Sequence, residues 1–353
     1  MSRPRVLIDV ERLRQPNSGL GQVALHLVNQ YLEDPPADWE PVFLIPEDRL
    51  DRFDTPFAYE VPNWRRRYAR FLAPEYNLWH MLHQDASYLP GPRTPYILTI
   101  NDLNFLFEKS PAKAQKRLAK VQRLVDGASA ITVISKFTES VVREHLRLGD
   151  IPVHVVYIGL GSNPEDPGEQ PDFAPAEPFL FNVGVVRRKK NQHVLIDFLA
   201  RIDDVKLIVA GNTDDDYADE IRERVAALGL GDRVIMPGEI TEAHKTWLFR
   251  HCEAFVFPSL YEGFGLPVAE AMSHGTPTFA STRTSLPEIG GNDVCYWDDF
   301  DPDAMAAVYR EGKAAFHADP ERAARLAERA ATFSWENTAR RYAELYRQFW
   351  RTD

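Results

Sequence analysis

Cysteine is almost missing from the 353-residue chain. Only Cys252 and Cys295 occur, too few for a disulfide framework or a cysteine-based zinc cluster. No apolar run approaches the roughly 18 residues needed to span a bilayer. Positive charge is in deficit: 41 Lys and Arg face 52 Asp and Glu, for a net charge of −11. That balance argues against a general nucleic-acid binder, whose affinity depends on neutralising phosphates. Internal repeats and low-complexity tracts are absent too, which removes solenoids and tethers. The opening MSRPRVLIDV runs straight into a strand-like segment, so we expect no secretory leader and a soluble, cytoplasmic protein.

What is present fits two ordinary globular domains. The length suits about two, and 44% hydrophobic with 26% charged residues can fill real cores. Charge is unevenly placed: residues 1–165 hold 20 basic and 20 acidic side chains, residues 166–353 hold 21 and 32. Strand-like runs form two series. VLIDV (6–10), VFLI (42–45), YILTI (96–100), AITVI (130–134) and VHVVY (153–157) come first. FLFNVG (179–184), VKLIVAG (205–211), RVIM (233–236), AFVFP (254–258) and TPTFA (276–280) follow. Helical spacing lies between them, and again at about 320–332 and 336–350. Continuous apolar strands separated by helices predict parallel sheets covered on both faces. Residues 161–178 carry five prolines and no periodic pattern, which is a linker composition.

The most informative stretch is YEGFGLPVAEAMSHGTP (261–277), which follows an apolar strand. Gly263, Phe264, Gly265 and Leu266 lead into a helix with Pro267 at its start and Gly275 beyond its end. Glycines at that junction leave backbone N–H groups free for phosphate, and the helix dipole adds about half a positive charge. Glu270, read as lying in the first helical turn, can accept hydrogen bonds from two ribose hydroxyls or simply complement the dipole. Arg187, Arg188, Lys189 and Lys190 follow the first strand of the second series and form either a diphosphate clamp or a solvated face. Asp214–Asp216 read as a helix N-cap run, not a metal site.

Gly19, Gly21 and Ala24 spell a dinucleotide fingerprint. Eight residues separate Val10 from Gly19, however, so a loose glycine loop is the better expectation, with a dinucleotide-dependent oxidoreductase as an alternative. Asn101–Asp102 end the YILTI strand, and His83 follows YNLWHML (76–82). Arg65, Arg66, Arg67 and Arg70 stand among Trp64, Tyr68 and Phe71, while Lys113, Lys116, Lys120 and Arg123 fall near one helix face. Both groups read as solvated faces or as docking sites for an anionic acceptor or membrane surface.

The 261–277 segment, with Glu262 and Glu270 separated by seven residues, resembles the donor site of family 4 glycosyltransferases, retaining enzymes of the GT-B fold. SGLGQ (18–22), TINDL (99–103), TVISKFT (132–138), NVGVVRRKKN (182–191), LPEIGG (286–291) and FSWENTA (333–339) resemble further family segments in the same order. The resemblance is nearest to bacterial mannosyl- and rhamnosyl-transferring members. It implies two Rossmann-like, doubly wound α/β domains facing a cleft: an acceptor domain at 1–165, a linker at 166–178, a nucleotide-sugar domain at 179–335, and a helix at 336–353 that crosses back to the first domain.

By the same resemblance the catalytic surroundings are Asn101, Asp102, Lys189, Lys190 and Glu262. The donor's nucleotide and diphosphate fall to Gly19, Gly21, Lys189, Lys190, Gly263, Phe264, Gly265, Leu266 and Glu270. His83, Arg65 and Arg66 are acceptor candidates. Asn101 stands where the family commonly has histidine, and Lys189 where it more often has arginine. The implied reaction moves a hexosyl group, GDP-mannose being the first choice of donor, to a hydroxyl of a glycan or lipid-linked saccharide. It belongs to polysaccharide or lipopolysaccharide synthesis, in the cytoplasm or peripherally on the inner membrane face. No metal, cofactor or nucleic acid is expected. A nucleotide-sugar-binding protein without transfer activity is the alternative.

Overall fold

The chain forms two units, residues 1–161 with 333–353, and residues 162–332. The computed structural model describes residues 3–15, 18–69, 71, 74–161, 163 and 165–352, and of Arg65 and Arg66 the backbone alone.

The first unit is built on seven parallel strands: β1 (Arg5–Asp9), β2 (Glu40–Leu44), β3 (Ala58–Glu60), β4 (Leu78–Met81), β5 (Tyr96–Ile100), β6 (Ala130–Val133) and β7 (Val153–Val155). Their spatial order is β3-β2-β1-β4-β5-β6-β7. The runs read as strands are apolar throughout because both faces are covered. Leu7 enters one core with Val42, Trp79 and Leu98, while its neighbours Val6 and Ile8 enter the other with Phe43, Leu78 and Ile97. Alternation of side chains across the pleat thus feeds two cores from one strand.

Helix Trp335–Phe349 belongs to this first unit. Ser334 caps it by accepting from the Asn337 N–H, and its buried residues Ala339, Tyr342, Ala343, Leu345 and Tyr346 recur at helical spacing. They complete the core around Val6, Ile8, Leu27, Val28 and Trp39. Beneath the helix, buried His80 bridges the Tyr346 hydroxyl (2.6 Å) and the Thr99 hydroxyl (2.8 Å). Burial lowers the His80 pKa to about 3, so the ring is neutral.

The glycine segment differs from the expected loose loop. A 3-10 turn, Glu11–Arg14, follows β1, and Gly19 and Gly21 form the first turn of helix Gly19–Glu33. Ser18 caps that helix by accepting from the Gly21 N–H (3.1 Å), so the helix begins before its apolar stripe does. Strand β1 ends at Asp9 and the helix starts only at Gly19, so the tight strand-to-helix turn that a dinucleotide fingerprint requires is not formed among the described residues.

The second unit carries six parallel strands: β8 (Phe179–Val183), β9 (Lys206–Ala210), β10 (Val234–Gly238), β11 (Ala254–Phe257), β12 (Thr278–Ser281) and β13 (Cys295–Trp297), in the order β10-β9-β8-β11-β12-β13. The proline-rich stretch read as a linker lies against this unit. Glu169 N–H donates to the Ala243 carbonyl (3.0 Å), and Phe173 meets His244 edge to face. Gly168, at φ +69°, approaches the Trp247 backbone so closely that a Cβ there would collide.

Candidate functional site

In the second sheet the strand order reverses between β8 and β11, and doubly wound sheets open a ligand crevice at the carboxyl ends of such a strand pair. The two segments singled out in the sequence leave from those ends. Residues 184–190 follow β8 and residues 258–265 follow β11. Backbone ties hold them together: Leu260 N–H donates to the Lys189 carbonyl (2.8 Å).

Lys190 Nζ lies 2.5 Å from Glu262 Oε1, and the two side chains are only 14% and 13% exposed. The ammonium also stands over the Phe257 ring, 5.0 Å from its centroid. Ser259 Oγ donates to the same carboxylate oxygen at 2.7 Å. Glu262 is fixed from behind as well, its N–H donating to Thr284 Oγ1 (3.1 Å). An ammonium has three donors, so Lys190 can keep Glu262 and still meet an anion.

Helix Leu266–Ser273 starts at Gly265, which has φ 101° and ψ 46°. Only glycine adopts this conformation readily, and a Cβ there would strike Leu286 at 2.5 Å. Among the described residues the N–H groups of Gly265 and Leu266 make no hydrogen bond, whereas Val268 N–H turns back to the Gly265 carbonyl (2.9 Å). Pro267 occupies the second helical position, where no donor is lost.

Glu270 does not lie in the first turn. With Leu266 as the first helical residue it falls in the second turn, where the dipole no longer explains it. Its partner is Lys245, on helix Glu242–His251, whose Nζ lies 2.9 Å from Glu270 Oε1 and 2.7 Å from Glu242. Burial opposes the Lys245 charge, but the two carboxylates outweigh it and raise its pKa. Glu270 Oε2 makes no hydrogen bond among the described residues, leaving one edge of the carboxylate available. Lys245 carries no local sequence signal, since it stands 25 residues from Glu270.

Around these groups, Arg188 pairs with Glu220 and stacks over Tyr217. Asp215 caps helix Asp216–Ala227 by accepting from the Tyr217 N–H, which accounts for the acidic run.

The first-unit candidates gather at the carboxyl ends of β4 and β5. Asn101 is buried, with Nδ2 donating to the Leu82 carbonyl (3.0 Å) and its own N–H to Gln84 Oε1 (3.1 Å). Asp102 Oδ1 accepts from the Asn104 N–H (3.0 Å), a local turn. His83 is buried too: Asp85 N–H donates to Nδ1 (2.8 Å), and the Arg12 guanidinium abuts Nε2. Burial first, then the Arg12 charge, lower the His83 pKa to about 3. The side chains of Arg65 and Arg66 lie outside the described residues. Trp64, Tyr68 and Phe71 are 62%, 76% and 73% exposed.

Residues 168–344 match the family described as Glycosyl transferases group 1. O-antigen chain mannosyltransferase B of Escherichia coli is 24% identical over 97% of this chain and 99% of that protein. Lipopolysaccharide core biosynthesis mannosyltransferase LpsB of Rhizobium meliloti is 32% identical, over 50% of this chain and 53% of that one. Among solved structures, Anabaena Alr3699/HepE in complex with UDP-glucose superimposes with a TM-score of 0.74 over 98% of this chain and all of the other, at 17% identity. The paired parallel sheets are those of the GT-B fold, and the chain belongs to the group 1 glycosyl transferases.

Proposed function

We propose that this glycosyltransferase moves a mannosyl group from GDP-mannose to a hydroxyl of a glycan or lipid-linked saccharide, with retention of anomeric configuration and without a metal ion. The second unit takes the donor and the first the acceptor. The observation that carries this reading is the Lys190–Glu262 pair beside the Gly265 helix start, at the strand ends where β8 meets β11. Two relatives named as mannosyltransferases support the choice of sugar.

In this reading the free edge of Glu270 receives the ribose hydroxyls, while Lys189, Lys190 and the Gly265 and Leu266 N–H groups face the diphosphate. As the bond from the anomeric carbon to the diphosphate oxygen breaks, its electron pair leaves with the diphosphate. Cations and amides fixed in advance stabilise that growing charge. The acceptor oxygen bonds to the anomeric carbon from the face the diphosphate leaves, and its proton passes to a diphosphate oxygen. Glu262 keeps Lys190 aimed at the crevice. Asn101, whose Nδ2 is held by the Leu82 carbonyl, shapes the acceptor side without moving a proton.

Trp64, Tyr68 and Phe71, exposed and interleaved with arginines in the sequence, suit an anionic membrane surface that presents the acceptor. The test is turnover with GDP-mannose, UDP-glucose and UDP-galactose, with octyl α-mannopyranoside as acceptor and the product's anomeric configuration read by NMR. Transfer from GDP-mannose giving an α-linked product is expected. An inverted product, or a preference for a UDP-sugar, would overturn the corresponding part. Sedimentation with phosphatidylglycerol vesicles, but not with phosphatidylcholine vesicles, is expected as well; equal recovery in the absence of lipid would remove the membrane contact.

A further inference from the structure

The first sheet also reverses its winding, between β1 and β4, and the carboxyl ends of such a strand pair are where doubly wound sheets form ligand crevices. Asp9 is the last residue of β1, opposite Leu44 on one flank and Met81 on the other. The residue is 5% exposed. Among the described residues it forms no ion pair and receives a single hydrogen bond, from the Glu11 N–H at 3.0 Å. A buried carboxylate with so little compensation is costly. Burial pushes its pKa up to about 7; the Glu11 N–H and the Arg12 charge pull the other way, and the Glu11 carboxylate adds to the rise.

Turn formation does not explain the acid. An asparagine or serine would accept the Glu11 N–H equally well without a charge to desolvate. The carboxylate at this crevice is therefore short of donors that a ligand can bring. The matching donors stand beside it. Arg12 stands in the 3-10 turn Glu11–Arg14 that follows β1, three residues on from Asp9, and its Nε is turned toward His83. His83 is itself held through Nδ1 by the Asp85 N–H (2.8 Å). With Nε so engaged, the two terminal amino groups of Arg12 make no hydrogen bond among the described residues. A carboxylate and an oriented guanidinium together match adjacent hydroxyls on a sugar ring, one accepting and the other donating.

We propose that Asp9 and Arg12 bind the hydroxyls of the acceptor's terminal hexose, the carboxylate accepting from two hydroxyls and the guanidinium donating to a third oxygen. This rests on the reading that the first unit takes the acceptor. It makes Asp9 a residue that lowers stability and supplies recognition.

The experiment uses the full chain with Asp9→Asn and, should that variant misfold, Arg12→Lys. Binding of octyl α-mannopyranoside, octyl β-glucopyranoside and octyl β-galactopyranoside is measured by saturation-transfer NMR, and binding of GDP and UDP by calorimetry. Hydrogen bonds to a charged group are worth about 1.5–3 kcal/mol, so Asp9→Asn should weaken the hexoside that wild type binds by about ten- to a hundredfold. Nucleotide binding should stay unchanged. The melting temperature at pH 8 should not fall, because the raised acid pKa means the ionised form opposes folding there. Arg12→Lys, which replaces a planar fork by a point charge, should also weaken the hexoside. A folded variant with wild-type hexoside affinity overturns the proposal, as does a wild type that binds none of the three probes. Failure of the donor reading looks different: nucleotide binding is then missing from wild type while the hexoside result stands.

Discussion

Ending the chain at Thr332 removes helix Trp335–Phe349, and the structure states what that should cost. Tyr342, Leu345 and Tyr346 are all at most 2% exposed in the core of the first unit. Fully burying side chains of this size contributes about 1.5–3 kcal/mol each, so the three together supply roughly 5–9 kcal/mol. The His80 Nδ1 contact with Tyr346 goes as well, a hydrogen bond of net worth about 0.5–1.5 kcal/mol. Whole domains are stable by only about 5–15 kcal/mol. The truncated chain should therefore lose the fold of the first unit, not merely activity. Differential scanning calorimetry and limited proteolysis of full-length and truncated protein check this. Loss of a melting transition, with cleavage throughout residues 1–161, is expected. A truncated chain with the full-length melting profile would refute the reasoning.

Glu270→Gln, which keeps the shape and removes the charge, should weaken nucleotide binding about ten- to a hundredfold; an unchanged dissociation constant in the folded variant would move the ribose elsewhere. Replacing Lys189 and Lys190 by alanine should cut turnover more than affinity for the bare nucleoside, since the charge they meet grows as the diphosphate departs. EDTA should leave wild-type activity in place, and a strict demand for Mg²⁺ or Mn²⁺ would count against the cation scheme. His80 sets a pH dependence. The unfolded chain takes up this proton near pH 6.5, whereas the folded one refuses it until about 3. Stability from this group thus declines as pH falls through that window, by up to about 1.4 kcal/mol per unit. His83 acts in the same direction, and Asp9 opposes both between pH 3.8 and about 7. His80→Gln should flatten the fall in melting temperature between about pH 6 and pH 4, and an unaltered slope would show that His80 is not the group responsible.

The long strands were legible because sheets covered on both faces leave no polar alternation to blur an apolar run, as in VLIDV and VKLIVAG. The edge strands Ala58–Glu60 and Cys295–Trp297 were not, each being three residues long with a single residue of clear burial character, Tyr59 open to solvent at 51% in the first and Trp297 buried in the second. Of the candidate site, the EGFG junction and the basic run were visible because backbone chemistry ties them to strand ends. Lys245 was invisible, since its link to Glu270 exists only once two helices pack. Gly19 and Gly21 were misread because a glycine pair in sequence does not announce that a serine three positions before the second one caps a helix. The segment at 166–178 has no period to report its contact with Trp247, because that contact is made by backbone at Gly168.

The split membership of the first unit has a bearing on synthesis. Its core needs residues from both ends of the chain, with the whole of 162–332 intervening. The usual order, in which the N-terminal domain folds first as it emerges, is therefore reversed. The second unit is contiguous and can close as soon as residue 332 has left the ribosome. The strands made first must wait for residue 349, with Val6, Ile8 and Trp39 uncovered until then. The time spent translating one unit is the time the other spends as an open client for chaperones.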